Sequence, residues 1–344
     1  MRVLLVTPED RSARTAWFFY AFHNHLLNGF TRGGHFVVTM RERETFQEAL
    51  GVKPLAKWLA NRRLRELAKE FHPDLLCLHM SYLITGDTLR AIKREFPHCR
   101  VAVTWYDAIQ SAFEVQRFEK ALEIADFAFV TTGGADLARF SGHCPLAFIP
   151  NPVDVSIFNV RAYAGPEKTW DVFCALRKRG RTDRWGLIDE LMRLKPNLAY
   201  GIFGRDKQNL LYGSAYVQAI ARSKVGLNLN KVGGDLYSSD RMAQFLGSGL
   251  LVATHRGSGY ARYFDEGEMI FFDDAADLAE KIERAVSDDK RWREMAERGR
   301  AKALEIMGET RITDFIMSMV MGLGVPSDWP YADHVFLGTT RDKQ

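Results

Sequence analysis

The chain has 344 residues, a formal net charge of +4, 47% apolar residues and 26% charged ones. That length is enough for two ordinary domains with a core each, and the charge is too small to argue for a nucleic-acid partner. Cys77, Cys99, Cys144 and Cys174 have neither a paired nor a zinc-type spacing, which excludes a disulfide framework and a metal site of that kind and points to buried thiols in a reducing compartment.

Arg2 to Thr7 is a short apolar strand that runs into Pro8-Glu9-Asp10, a pattern unlike a signal peptide. Thr15 to Leu27 is predicted as an aromatic-rich helix. Gly33-Gly34-His35 then turns the chain into a second strand, Phe36 to Met40. Strand, helix, glycine turn and strand open a doubly wound α/β domain. No G-x-G-x-x-G follows the first strand, which argues against a dinucleotide oxidoreductase. Lys53 to Phe71 reads as a basic helix, with Lys53, Lys57, Arg62, Arg63, Arg65 and Lys69, and one apolar face of Leu64, Leu67 and Phe71. Its plainer reading is a sheet-packing helix with a basic solvent face. Its functional reading is a patch for anionic lipid headgroups, helped by Trp58.

Asp74 to Met80 and Arg100 to Thr104 are predicted buried strands. His79 ends the first, and Trp105-Tyr106-Asp107 follows the second. Ligands of open α/β sheets gather beyond the carboxyl ends of the strands, so His79, Asp107 and Asp10 are all candidates for one crevice. Each also has a plain alternative, a satisfied core histidine or a helix cap. Phe127 to Thr131 is a further strand. Pro150-Asn151-Pro152-Val153-Asp154 and Phe158 follow, and the polar segment to Lys168 suits a linker.

The second half opens with the strand Asp171 to Leu176. The run Arg177-Lys178-Arg179-Gly180-Arg181 comes next, with Arg184 ahead of a helix from Leu187 to Leu194. Cations on a glycine-bearing loop before a helix suit a diphosphate, and a solvated charge run is the alternative. Leu198 to Phe203 and Val225 to Asn230 are strands; Asn230 and Gly233-Gly234 close the latter, where backbone without a side chain lets a ligand approach. Asp235 to Gly259 then reads as polar loop, short helix, glycine turn, buried strand and a loop containing Gly257. Ser238 or Ser239 is the N-cap. Helical spacing puts Arg241, Gln244 and Ser248 on a polar stripe, with Met242, Phe245 and Leu246 facing a core. An arginine beside a helix N-terminus favours an anion, and Gln244 is placed to bond sugar or ribose hydroxyls. Glu268 to Phe272 is a last strand, followed by helices from Ala275 to Val286, Asp289 to Ile306 and Ile312 to Met321. The tail carries Trp329, Tyr331 and Phe336, enough apolar surface to pack.

From about Asp171 to Met307 the chain resembles the C-terminal domain of GT-B glycosyltransferases, and within them the spore-maturation-protein-like group. Arg241 to Gln244, Gly247-Ser248-Gly249, Leu250 to Thr254, Arg256 to Gly259, Phe264 to Gly267 and Leu278-Ala279-Glu280-Lys281-Ile282 follow the family's order of pieces. Gly34-His35-Phe36-Val37 and the Pro-Asn-Pro-Val-Asp segment resemble two landmarks of the N-terminal domain. The chain departs from the pattern in three places. Ser12-Ala13 stands where many members have Gly-Gly, Pro152 replaces a Gly, and Leu236 and Gln244 stand where retaining members carry Glu-x7-Glu.

The resemblance implies a GT-B fold, two doubly wound Rossmann-like domains facing across a cleft. Residues 1–160 would form the acceptor-side domain, 161–310 the nucleotide-sugar domain, and 311–344 a helix and tail packing back on the first. It implies transfer from a nucleotide-diphosphate sugar to a hydroxyl of a glycan, lipid-linked sugar or protein, as in making lipopolysaccharide or another cell-surface polysaccharide. No cofactor and no metal are expected. The donor contacts would be Arg177, Arg181, Asn230, Ser239, Arg241, Gln244 and Gly257. Asp107, or else Asp10 or His79, would take the acceptor proton. The protein would be cytoplasmic, touching an anionic membrane at its inner face. A catalytically silent homologue that binds a sugar nucleotide as a sensor is the alternative, and an epimerase on the same fold is a third reading.

Overall fold

The computed structural model describes residues 1–9, 18–110, 112–165, 167–176, 184–230 and 234–338, and the chain divides into two units. Unit 1 comprises Met1–Thr15, Phe22–Pro150 and Glu309–Gln344; unit 2 comprises Asn151–Gly308 and takes in Ala16–Ala21. The division falls inside the Pro-Asn-Pro-Val-Asp segment and again at Gly308.

Unit 1 runs β1 (Arg2–Thr7), α1 (Phe22–Arg32), β2 (Phe36–Arg41), α2 (Glu44–Glu48), α3 (Lys53–Phe71), β3 (Leu75–His79), α4 (Gly86–Glu95), β4 (Arg100–Trp105), α5 (Ala112–Leu122), β5 (Phe127–Val130), α6 (Gly134–Ala138) and β6 (Leu146–Phe148). Unit 2 continues with β7 (Trp170–Ala175), α7 (Arg184–Leu194), β8 (Tyr200–Phe203), α8 (Gly213–Ala221), β9 (Ser223–Asn228), α9 (Asp240–Gly247), β10 (Leu251–His255), β11 (Ile270–Phe272), α10 (Ala275–Val286) and α11 (Asp289–Met307). The chain then returns to unit 1 with α12 (Glu309–Val320) and β12 (Val335–Phe336).

Each unit is built on one sheet. In unit 1 the order is β12-β6-β5-β4-β3-β1-β2, parallel except for the short β12 at the edge. In unit 2 it is β11-β10-β9-β7-β8, parallel throughout. Val3 to Val6 and Leu75 to Cys77 have no exposed surface, as strands covered on both faces require. Strand order reverses between β1 and β3 in unit 1 and between β7 and β9 in unit 2. Those two reversals are where open α/β sheets leave a crevice for a ligand.

The first helix differs from its predicted span. It runs Phe22–Arg32 instead of Thr15 to Leu27. Aromatic residues suggested an earlier start, yet the ring of Phe18 packs edge-on against Tyr212 and that of Tyr20 lies against Tyr216, both within unit 2. Gly34, at φ +80°, supplies the left-handed turn after the helix.

The helix α12 lies against α1, and the closeness is set by Gly29. A β-carbon there would lie 2.6 Å from the Glu309 carbonyl oxygen and 2.7 Å from a Thr313 methyl. Arg32 and Glu309 also form an ion pair across this contact. Gly29→Val is therefore expected to destabilise unit 1 by about 1–3 kcal/mol through overpacking. Guanidinium unfolding is the measurement, and an unmoved midpoint would mean that α12 can shift away without loss. Trp329 and Tyr331 of the tail are buried, Trp329 stacked on Phe315 at 3.9 Å.

Candidate functional site

The candidate donor site is in unit 2, at the carboxyl ends of β9 and β10. Ser239 is the N-cap of α9: its hydroxyl accepts from the Met242 N–H at 3.3 Å and donates to Asn228 Oδ1 at 2.6 Å. Asn228 ends β9 and donates through Nδ2 to Thr254 Oγ1 at 3.2 Å, which lies in β10. Asn151 reaches the residue before the cap, donating from its backbone N to Ser238 Oγ at 2.8 Å and from Nδ2 to Ser238 O at 2.6 Å. A buried polar chain thus fixes the start of α9 on the two strand ends. It also takes up the Met242 N–H that the helix end would offer a ligand, and the carboxylate of Asp240 accepts from the Arg241 N–H at 2.8 Å. The helix end alone is a poor anion site for that reason.

The cationic focus is a pair of guanidinium groups. Arg241 Nη1 donates to the Leu229 carbonyl oxygen at 3.2 Å, and Arg184 Nη1, from the first residue of α7, donates to the same oxygen at 3.4 Å. Burial first, and the neighbouring Arg241 charge second, push the pKa of Arg184 down. Two like charges held this close repel, and an anion between them would relieve both. The carbonyl marks the end of β9, beside the reversal between β7 and β9. One residue on, Asn230 Nδ2 donates to Tyr237 O at 3.4 Å, while its Oδ1 is buried with no hydrogen-bond partner among the described residues. A buried acceptor without a donor costs stability unless something else satisfies it.

Arg177 and Arg181 lie outside the described residues. Gly257 is exposed in the turn after β10, its N–H donating to His255 Nδ1 at 3.0 Å. That turn is tied to the loop before α9 by the Leu236 N–H, which donates to Ser258 O at 3.0 Å, and by an Asp235–Arg262 ion pair at 2.5 Å. Leu236 is fully buried in a left-handed conformation, φ +54°. The polar stripe expected on α9 is not a solvent face. Gln244 and Ser248 are both buried, because α9 is covered on that side as well, and Gln244 Oε1 accepts from the Tyr216 hydroxyl at 2.7 Å. A ligand contact from Gln244 is left to its amide nitrogen. Arg184 was visible in the sequence as part of a basic run but had nothing to set it apart from its neighbours.

In unit 1 the carboxyl ends of β1, β3 and β4 carry the other candidates. His79 is 1% exposed, shares a hydrogen bond of 2.9 Å between Nδ1 and Thr104 Oγ1, and is stacked between Phe22 at 4.9 Å and Tyr106 at 5.2 Å. Burial, and then the charge of His23, hold its pKa well below the usual value, so it is neutral. This is the environment of a satisfied core histidine. Asp107 is half-buried just beyond Tyr106. Asp10 lies outside the described residues. A pair with no local signal in the sequence lies past the end of β1, Glu9 in the loop and His23 on α1. His23 Nε2 lies 2.5 Å from Glu9 Oε1, and Arg41 Nε is 3.7 Å from the other Glu9 oxygen. Glu42 is also buried, accepting from Ser81 Oγ at 2.7 Å and from the N–H groups of Tyr82 and Leu83 at 2.7 and 3.2 Å. It clamps the loop after β3, and burial raises its pKa against those bonds.

Two doubly wound units, each on a sheet that is parallel apart from the short edge strand β12, make up the GT-B glycosyltransferase fold. Residues 179–316, which contain the cationic focus, match the family described as glycosyl transferase-like. Among solved structures, the Anabaena protein HepE in complex with UDP-glucose is similar at 14% identity and a TM-score of 0.62, over 94% of this chain and 100% of that one. Sucrose-phosphate synthase from Thermosynechococcus elongatus is similar at 13% identity and a TM-score of 0.59, over 94% and 99%. A UDP-N-acetylglucosamine 2-epimerase is similar at 12% identity and a TM-score of 0.52, over 94% and 97%. No curated protein matches. At these identities the likeness is one of fold, which both transferases and an epimerase share. Among the described residues no helix is long and apolar enough to cross a membrane.

Proposed function

We propose that the protein transfers a sugar from a nucleoside-diphosphate sugar to a hydroxyl acceptor. The observation that carries this reading is the convergence of Arg184 and Arg241 on one carbonyl, beside the unsatisfied Asn230 Oδ1, within the residues that match a glycosyl transferase-like family. In this reading the two guanidinium groups hold the diphosphate, and Asn230 accepts from a hydroxyl or N–H of the nucleoside or sugar. As the glycosidic bond breaks, negative charge grows on the leaving diphosphate, and pre-placed cations stabilise it without reorganising. Unit 1 supplies the base: Asp107 takes the proton of the attacking hydroxyl if configuration inverts. The acceptor is a glycan or lipid-linked sugar used in building a cell-surface polysaccharide, and the reaction runs in the cytoplasm at the membrane's inner face.

A thermal-shift panel of nucleoside diphosphates and their sugars tests the reading. A ligand present at about 100 times its Kd adds about 2.7 kcal/mol to the native state and raises Tm. UDP is the first probe, since HepE binds UDP-glucose. No shift with any nucleoside diphosphate would sink the proposal. Leu236 and Gln244, in place of two carboxylates, favour one second reading, a silent homologue that senses a sugar nucleotide. A Tm shift with no hydrolysis or transfer of the donor would select it.

Metal independence belongs to the same proposal, because the arginine pair does the work that a divalent cation does elsewhere. Donor affinity is expected to stay unchanged in a chelator. Loss of binding that manganese or magnesium restores would contradict it.

A further inference from the structure

We infer that unit 1 docks on an anionic bilayer through the turn between α2 and α3, with Leu50 and Trp58 entering the interfacial layer. This surface is independent of the donor reading. Leu50 is 91% exposed, Val52 53%, Leu55 44% and Trp58 54%, four neighbouring apolar side chains in water. Leu50 and Gly51 both have left-handed backbones, at φ +49° and +81°. For leucine that conformation is unfavourable, and at this exposure it gains no burial in return. Nor is the turn loose. The N–H groups of Leu50, Gly51 and Val52 donate to Gln47, Phe46 and Ala49 carbonyls at 3.1, 2.8 and 2.9 Å. The fold therefore holds an apolar side chain outward at a cost that the isolated chain never recovers. Strain kept in this way is a mark of function.

Charge around the tip says what covers it. The helix α3 buries Ala56, Ala60, Leu64 and Ala68, which turns Leu55, Trp58, Arg62 and Arg65 outward. The Arg62 guanidinium lies 5.4 Å above the Trp58 ring. Lys53, Lys57 and Arg65 have no ion pair among the described residues, whereas Arg62 pairs with Glu66 and Arg63 with Glu48. An apolar tip rimmed by unpaired cations, with a tryptophan at the boundary, matches a surface whose outer layer is anionic phosphate and whose next layer is hydrocarbon. A protein partner would meet the apolar tip but not the unbalanced cations, unless it too were acidic.

The test is co-sedimentation of the full chain with vesicles of phosphatidylcholine alone and of phosphatidylcholine mixed with phosphatidylglycerol, at low and high salt. The wild type is expected on the mixed vesicles and scarcely on the neutral ones. Lys53→Gln and Lys57→Gln should each weaken the low-salt partition by roughly fivefold. Leu50→Ser with Trp58→Ser should weaken it by about tenfold or more, and should remove the part that survives high salt. Equal partition to neutral and anionic vesicles, or a Leu50→Ser/Trp58→Ser variant that binds like the wild type, would overturn the inference. So would a wild type that avoids vesicles and self-associates through these residues, since a second copy would then be what covers the tip. The melting temperature without ligand should be the same in every variant, which shows that the variants fold, and so should the thermal shift with nucleoside diphosphate, which keeps failure of docking distinct from failure of the donor reading.

Discussion

Asp107→Asn is expected to lower turnover by roughly 10²–10⁴-fold, with donor affinity little changed. The residue is half-buried just past the end of β4, in the unit that lacks the arginine pair. Its neighbour Tyr106 is stacked on His79, which fixes the backbone at the strand end. His79 itself is buried, and that burial disfavours its protonated form, which makes it a poor acceptor for the proton. Asparagine keeps the shape of the side chain and removes the proton acceptor. The loss should therefore appear in kcat, at unchanged Kd for the nucleoside diphosphate. If the enzyme retains configuration, the departing phosphate can take the proton and the effect shrinks. Wild-type turnover in the variant would move the search to the Glu9–His23 pair at the reversal between β1 and β3, where a carboxylate already lies beside an imidazole. An equal loss of donor affinity would instead make Asp107 a structural residue.

Arg241→Ala is expected to weaken nucleoside-diphosphate binding by about 1.5–3 kcal/mol, the worth of a hydrogen bond to a charged group. That is roughly a 10- to 150-fold rise in Kd. Arg184→Ala should do the same, because both donate to the Leu229 carbonyl and so face one place. The two share a partner, so the double variant should fall short of the sum of the singles. Removing one arginine also relieves the other of a like charge, which further reduces the second loss. Lysine at either position keeps the charge but not the planar fork, and should give an intermediate Kd. Titration calorimetry is the measurement, with unfolding midpoints to show that each variant is native. Unchanged affinity in the folded Arg241→Ala protein would remove the arginine pair from the donor site and take the carrying observation with it.

Much of the fold was legible in the sequence because strands and helices are local. Val3 to Val6 is a continuous apolar run, α3 was placed from Lys53 to Phe71 by its periodicity, and Ser239 stood out as one of two possible caps. The order of motifs from Arg241 to Ile282 was enough to suggest the fold family. Boundaries were less legible where side chains meet partners far along the chain: Phe18 and Tyr20 looked helical but pack on Tyr212 and Tyr216, in the same unit. What only the tertiary structure decided are meetings between residues far apart along the chain. Arg184 meets Arg241 because the sheet sets β7 beside β9; Glu9 meets His23, and Tyr216 takes the oxygen of Gln244. Leu50, with no periodic pattern around it, turned outward because the turn is bonded on the inside. Periodicity reports which face of its own element a residue occupies. Strand order and packing decide which other residue that face meets, because they set the distances between elements, and neither is written in local spacing.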